Sequence, residues 1–323
     1  MEYLQTYEEG GLFWEPGIDY EGQTPKYVNL LDDLGFKHVF GRDENKEILI
    51  AFLNEIIPDK EIIDLEHIRN EQIPLDPQTK ASIFDLYCET QDGSRIVVEL
   101  QREEQFDYVD RAIYYGAFPI QNQITKGKKR YTFCAVYVIN ILNFELLELR
   151  GVHKPVSTFR LKELETNEIL SHKYTLIFIE LPKFAKRFEE ISPDNILDGY
   201  LYFLRNMHKL KEQPKEFQQQ IWDKLFNAAR FAQMNHTEKQ AYIRKMNSER
   251  DRINQMEFAM EKAKTQGMAQ GLAEGIAKGL AEGLAEGKAE EKVSIAKIMK
   301  AKGIDIATIA DCTGLSPEQI DAL

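Results

Sequence analysis

Ser82-Ile-Phe-Asp85-Leu-Tyr-Cys-Glu-Thr90-Gln-Asp-Gly93-Ser-Arg-Ile-Val-Val-Glu99-Leu-Gln101 is the stretch on which the reading of this chain turns. Ser82 to Glu89 and Arg95 to Gln101 read as two short strands, and Gln91-Asp92-Gly93 between them is a turn signal. Side chains alternate along a strand, so Ile83, Asp85 and Tyr87 share one face, and Val97, Glu99 and Gln101 share one face. The turn decides whether these are the same face. A two-residue turn at Asp92-Gly93 would pair Asp85 with Leu100 and set Asp85 and Glu99 on opposite faces. A three-residue loop, Gln91 to Gly93, pairs Thr90 with Ser94 and Asp85 with Glu99. That loop wants a positive φ at its third position, where Gly93 stands. The turn chemistry permits the register that brings the carboxylates together.

Two carboxylates opposed on a pleated face, with Cβ atoms about 4.5–5.5 Å apart, repel each other unless a cation sits between them. Asp85 lies within Ile83-Phe84-Asp85-Leu86-Tyr87 and Glu99 follows Ile96-Val97-Val98, apolar settings in which a carboxylate is expensive without a role. A hard divalent ion, Mg2+ or Mn2+, takes one or two carboxylates with water and substrate phosphate. It lowers the pKa of bound water and stabilises charge on phosphate oxygens. Asp85 and Glu99 are therefore the expected metal ligands, and they form the expected catalytic set with Gln101, whose amide could orient water or contact phosphate. An exposed sheet face with ordinary polar residues is the competing reading.

Outward from the hairpin, residues 27–40 read as a helix with Leu30, Leu31, Leu34, Phe36, Val39 and Phe40 apolar. A second helix carries Ile48, Leu49, Phe52, Leu53, Ile56 and Ile57 and closes at Pro58. Ile62 to Leu75 reads as strand. A helix is expected from Phe106 to Lys126, bent near Pro119. Tyr131–Ile141 and Tyr174–Leu181 read as strands, and 196–260 as mostly helical. The order helix, strand, strand, strand, helix, strand describes an α/β mixed-sheet core over 27–182. Residues 1–26 read as an irregular arm and 183–262 as a helical extension.

The 323 residues are 43% hydrophobic, enough for a sizeable core, and carry a net charge of -12. That balance does not advertise nucleic-acid binding, which uses clustered Lys and Arg. The clearest basic cluster is Lys126, Lys128, Lys129 and Arg130, in a loop that could touch a phosphate backbone or simply be solvated. Cys88, Cys134 and Cys312 are far apart and form no CxxC, and the histidines show no HExxH spacing, which disfavours a disulfide framework or zinc hydrolase. The acidic start has no apolar segment of signal-peptide type, and the run Tyr131–Leu142 is too short to span a membrane. A cytoplasmic protein is expected. Asp33 stands four residues before Lys37, on the same helix face, as a surface ion pair or cap, or as a carboxylate near the metal. Arg111 is either a phosphate contact or a structural ion pair.

Taken in order, Asp33-Leu-Gly-Phe36-Lys37-His-Val-Phe40-Gly41, Asn45-Lys-Glu47 with Phe52-Leu53-Asn54, Phe84-Asp85-Leu86, Val98-Glu99-Leu-Gln101, Arg111-Ala-Ile-Tyr114-Tyr115 and Gln123-Ile-Thr-Lys-Gly127 resemble the PD-(D/E)XK nuclease family transposases, the Rpn or recombination-promoting nuclease family. The resemblance covers roughly 27–145. It implies an α-β-β-β-α-β core, divalent-metal cleavage of DNA and a role linked to recombination or mobile DNA. It maps Asp85 to the metal-binding aspartate, Glu99 to the second acid, and Gln101 to the position the superfamily usually gives to lysine. Gln carries no charge and is no base, which puts rate and metal dependence in question. Asp33, Lys37 and Arg111 are candidate accessory residues by position, and Gln123, placed toward the cleft mainly by the resemblance, is a fourth.

The tail changes character. Glycine recurs every four residues from Gly267 to Gly287, with Leu/Met/Ile, Ala and mostly Glu between. Each helical glycine costs about 1 kcal/mol relative to Ala, and the stripe drifts by roughly 40° per repeat. Residues 263–290 are thus expected to form a marginal helix that frays or packs against another chain, which makes a homo-oligomer one expected partner beside DNA. Residues 291–323 read as a small unit spaced like a helix-turn-helix. Its last helix is acidic, with only Gln319 suited to reading bases, so a packing module is the stronger reading. A catalytically weak DNA-binding or recombination scaffold and a protein-interaction factor are the alternatives to a metal-dependent endonuclease.

Overall fold

The computed structural model describes residues 25–68, 71–72, 82–124 and 130–323. Strands and helices follow in the order α1 (Asp33–Phe40), α2 (Lys46–Ile56), β1 (Leu65–His67), β2 (Glu71–Gln72), β3 (Ser82–Ile83), β4 (Leu86–Thr90), β5 (Arg95–Gln101), α3 (Tyr108–Gln123), β6 (Val136–Leu142), β7 (Val156–Lys162), β8 (Ile169–Glu180), α4 (Ile196–Asn206), α5 (Gln220–Ala228), α6 (His236–Ala301), α7 (Ile306–Thr313) and α8 (Pro317–Asp321). The six-stranded sheet has the order β1-β4-β5-β6-β8-β7, with β2 and β3 forming a separate pair. β5, β6 and β8 run parallel, and β1, β4 and β7 are antiparallel to their neighbours. This is a mixed α/β fold with a helical C-terminal region, consistent with a PD-(D/E)XK-type core.

Every residue of β6, Val-Tyr-Val-Ile-Asn-Ile-Leu, is buried. Such a continuous run belongs to a central parallel strand covered on both faces. On one face Leu86, Cys88, Ile96, Val98 and Ile139 pack with the apolar stripes of α1, α2, α4 and α5. On the other, Tyr87, Val97, Val136 and Val138 pack with Phe118 of α3.

Three expectations change. The first helix starts at Asp33, not Tyr27, because the Asp32 carboxylate accepts the Leu34 N–H at 2.9 Å and caps it. Tyr27, Val28, Leu30 and Leu31 are buried from an irregular segment, with Tyr27 bridged to Arg230, so their spacing recorded burial and not helix. The strand expected over 62–75 is instead β1 and β2, in different sheets, with 73–81 outside the described residues. The strand expected over 82–89 breaks at Phe84-Asp85, and Phe84 and Tyr87 end in the same cluster with ring centroids 5.4 Å apart. Two residues three apart cannot share a face of a regular strand. β7, the edge strand beyond β8, is absent from the sequence reading, which begins the β8 strand at Tyr174 in place of Ile169.

The chain divides into a unit ending at Met246 and a unit from Asn247 to Leu323. In the second, Ala296, Ile309 and Ile320 form a small core, Gly314 closes α7 at φ 71°, and the Ser316 capping box starts α8 at Pro317. The glycine repeat lies wholly within helix α6. Met268, Leu272, Ile276, Leu280 and Leu284 are exposed, and a Cβ added at any repeat glycine would meet nothing within 4 Å.

Candidate active site

The β4–β5 register is Leu86↔Val98, Tyr87↔Val97, Cys88↔Ile96 and Glu89↔Arg95. It closes through a three-residue loop: the Thr90 N–H donates to Ser94 O at 3.0 Å and the Gly93 N–H to Thr90 O at 2.8 Å, with Gly93 at φ 80°. The pairing stops at Leu86 and Val98, and Asp85, the next residue, stands off the ladder beside Glu99 and Leu100. The break at Asp85 changes how the two meet. The Asp85 N–H donates to Glu99 Oε1 at 3.4 Å, and Asp85 Oδ2 accepts the Leu100 N–H at 2.8 Å. A carboxylate thus replaces a backbone carbonyl at this point of the ladder, which fixes its orientation.

Glu99 is buried. Burial and then the neighbouring Asp85 charge push its carboxyl well above the ordinary range, and Arg111 Nη2, 3.7 Å from Oε2, reverses only part of this. Burial also raises the Asp85 carboxyl, against the pull of the Leu100 N–H and Lys37. Lys37 Nζ lies 3.2 Å from Asp85 Oδ1 and 2.5 Å from Asp33 Oδ1. Burial lowers the lysine's pKa, but its two carboxylate partners more than reverse that and hold it above its usual value. Asp33 is held below its ordinary range, burial being outweighed by Lys37.

The remaining expected residues separate into two places. Arg111 is at the site: besides Glu99 it donates from Nη1 to Gln105 Oε1 at 2.9 Å and stacks 4.9 Å over the Tyr115 ring. Gln101 lies on β5 two residues beyond Glu99, and its amide donates to Glu103 O at 3.2 Å. Gln123 is not in the cleft. Its side chain accepts the Cys134 N–H at 2.7 Å and donates to Cys134 O and Pro119 O, bracing the end of α3 against the approach to β6. Cys134 lies beside Gly93, at the turn end of the hairpin. Glu99 pairs with Asn140, six residues further on, or about 20 Å of extended chain away. Arg130 is exposed, four residues before Cys134. Lys126, Lys128 and Lys129 lie outside the described residues.

Sequence reasoning missed four groups. Tyr108 is buried, donates its hydroxyl to Asn140 Oδ1 at 3.0 Å, and has its pKa pushed well up by burial and then by the Glu99 charge. Asp32 accepts Lys245 Nζ at 3.1 Å and lies 3.8 Å from Arg102 Nη1, which brings two further cations beside Asp33 and Lys37. The Ser/Asp preference at helix starts could have marked Asp32. Nothing local marks Lys245.

Among the described residues no group of three or more His, Cys, Asp or Glu is arranged to hold a metal ion. Asp85 and Glu99 supply two hard-oxygen donors, one of them buried and short of positive charge. That donor set fits an ion completed by water and phosphate, and fits Mg2+ better than a softer metal. A separate cavity of about 350 Å³ lined by His38, Arg42 and Lys224 contains neither acid. Its cations are paired to Glu238 and Glu47.

A family model described as PD-(D/E)XK nuclease family transposase matches residues 30–259, well over half of the chain. No curated protein and no solved structure matches it.

Proposed function

From the chain's membership of the PD-(D/E)XK nuclease family transposases, which gives it a nuclease- or transposase-related role, we propose that it is a metal-dependent DNA endonuclease. The observation that carries this reading is the meeting of Asp85 and Glu99 at the end of the hairpin ladder, with a buried, poorly compensated carboxylate at Glu99.

Asp85 and Glu99 hold Mg2+ or Mn2+ in this reading. Bound there, the ion would supply Lewis-acid stabilisation of the phosphate and a more acidic water. The protein's own residues do the rest. The Leu100 N–H keeps the Asp85 carboxylate turned toward Glu99. Arg111 carries positive charge beside Glu99 and can meet a phosphate oxygen, its Gln105 and Tyr115 contacts holding the guanidinium plane. Lys37 stands at Asp85 and provides the cation that the Gln101 position lacks, there to balance charge developing on the phosphate. Arg102 and Lys245 add positive charge on the Asp32–Asp33 side, where a backbone phosphate could lie. An acidic chain can therefore still present a locally basic rim.

In the same reading, 27–182 carries the catalytic core, 183–262 buttresses it, 263–290 mediates association of copies, and 291–323 is a small packing module. The working compartment is the cytoplasm. Among the described residues no helix is long and apolar enough to cross a membrane.

Nicking of supercoiled plasmid with Mg2+ or Mn2+, comparing wild type with Asp85→Ala, tests the proposal. Wild type is expected to nick and the variant to fail. Equal cleavage by both would sink the site.

A further inference from the structure

A cavity of about 340 Å³ lies between two chain segments, residues 104–109 and 146–148, and Gln105 on its wall bonds Arg111, the partner of Glu99. Phe106 is fully exposed at 105% and Leu147 is 56% exposed. Tyr108 and Val109 line the wall toward the acids, and Glu104 and Glu148 add carboxylates.

Both walls are held firmly. The turn after β6 is pinned from below by a buried ion pair: Glu180, completely buried, accepts the Leu146 N–H at 2.8 Å. Lys183 bonds Glu180 at 2.6 Å and donates to Leu149 O at 2.8 Å. Burying such a pair brings little net stability, so it acts here chiefly to fix the turn. The opposite wall is fixed by the Tyr108–Asn140 hydrogen bond and by Gln105, which is tied through Arg111 to Glu99. The pocket thus presents the exposed Phe106 ring to solvent, and Gln105 on its wall reaches Glu99 through Arg111.

Resting on the nuclease reading, we infer that this pocket receives an unpaired nucleobase of the strand being cut, stacked on Phe106, so that the enzyme's substrate is DNA with unpaired nucleotides near the scissile phosphate. Charge distribution favours a base over a phosphate as occupant. Glu104 and Glu148 repel the backbone, while Arg111 and Lys37, on the acid side, attract it. Carboxylates accept hydrogen bonds from exocyclic amino groups, so adenine, cytosine and guanine suit the pocket better than thymine. A base inside a duplex has its faces stacked and its pairing edge occupied, and cannot meet both Phe106 and the carboxylates. Aromatic platforms of this kind recur where proteins hold single strands.

Binding in Ca2+ separates this inference from cleavage. Wild type, Phe106→Ala and Phe106→Tyr are titrated against single-stranded, mismatched and fully paired oligonucleotides carrying one 2-aminopurine. Phe106→Ala is expected to bind unpaired substrates about tenfold more weakly and to lose the 2-aminopurine quenching, with paired duplex unaffected and Phe106→Tyr close to wild type. Glu148→Gln is expected to reduce the preference for adenine, cytosine and guanine over thymine. Phe106 is exposed, so its replacement does not threaten folding. Unchanged single-strand binding by Phe106→Ala, an equal loss on paired duplex, or no binding by wild type would overturn the inference. The pattern expected here, in a wild type that nicks nothing, would instead sink the nuclease reading and leave the base pocket standing.

Discussion

Lys37 Nζ, on α1, lies 3.2 Å from the Oδ1 atom of Asp85, at the head of β4. The lysine that the superfamily pattern sets two residues after its second acid is Gln101 here, and Lys37 brings an ammonium to the same carboxylate cluster from a different element. Lys37→Met should therefore lower nicking by about 100-fold, the scale expected for one positioned charged or proton-transferring group. Adding Gln101→Lys to that variant should recover part of the loss. Plasmid nicking rates decide it, and a Lys37→Met enzyme at the wild-type rate would remove Lys37 from the site.

Glu99 makes the metal-free protein less stable at neutral pH. Its folded carboxyl is raised by burial and by Asp85, so the folded state holds its proton where the unfolded chain has released it. The Glu99 contribution to stability is therefore full below the unfolded value, near about pH 4.3, and falls as pH rises through the folded one. Glu99→Gln should melt higher than wild type above that window, by about 2–4 °C for each kcal/mol recovered, while losing the Mg2+-dependent rise in Tm. Melting curves in chelator and in Mg2+ across this range check both halves. A wild type that loses no stability relative to Glu99→Gln as pH rises through this window would contradict the sign.

How much of this was legible in the sequence depends on the range of the interactions involved. The Gly93 loop and the meeting of Asp85 and Glu99 could be read because a hairpin's register is set by a few adjacent residues. The i,i+4 pair Asp33–Lys37 could be read for the same reason. The break at Asp85 could not, because alternation counts residues and is blind to one that leaves the ladder. Gln123 sits in the right order in the chain, yet α3 returns it to the turn end of the sheet, about 20 Å of strand from Glu99. Lys245 reaches Asp32 from a helix beginning at His236, a contact that only the tertiary fold creates.

Gly93 is the residue on which the register depends. It holds φ at 80°, and an added Cβ would lie 3.1 Å from Cys134 Sγ. Gly93→Ala should cost about 1–2 kcal/mol from the left-handed backbone alone, and Gly93→Asn less, because Asn tolerates that region. Urea unfolding measures the cost. Since the turn sets the register, Gly93→Ala should also reduce nicking although it lies far from the acids. A variant as stable and as active as wild type would show that the hairpin pairs correctly without the glycine.

The glycine repeat offers a test with two opposed readouts. Six glycines lie inside α6, and nothing stands within 4 Å of a Cβ at any of them. Considered alone, Gly275→Ala with Gly279→Ala should stabilise the helix by about 2 kcal/mol, since each alanine recovers roughly 1 kcal/mol. If copies of the chain associate through this stripe, the same two methyl groups occupy the space that lets the backbones approach. The i±4 rows of two such helices would interlock near Ω of about -50°, a crossing that small residues allow to be close. The doubly substituted protein should then gain helicity by circular dichroism and, like the chain ending at Met260, show by light scattering a lower assembly mass counted in subunits. Unchanged mass in both, with the helicity gain intact, would leave the glycines without a role in association and make the repeat a spacer.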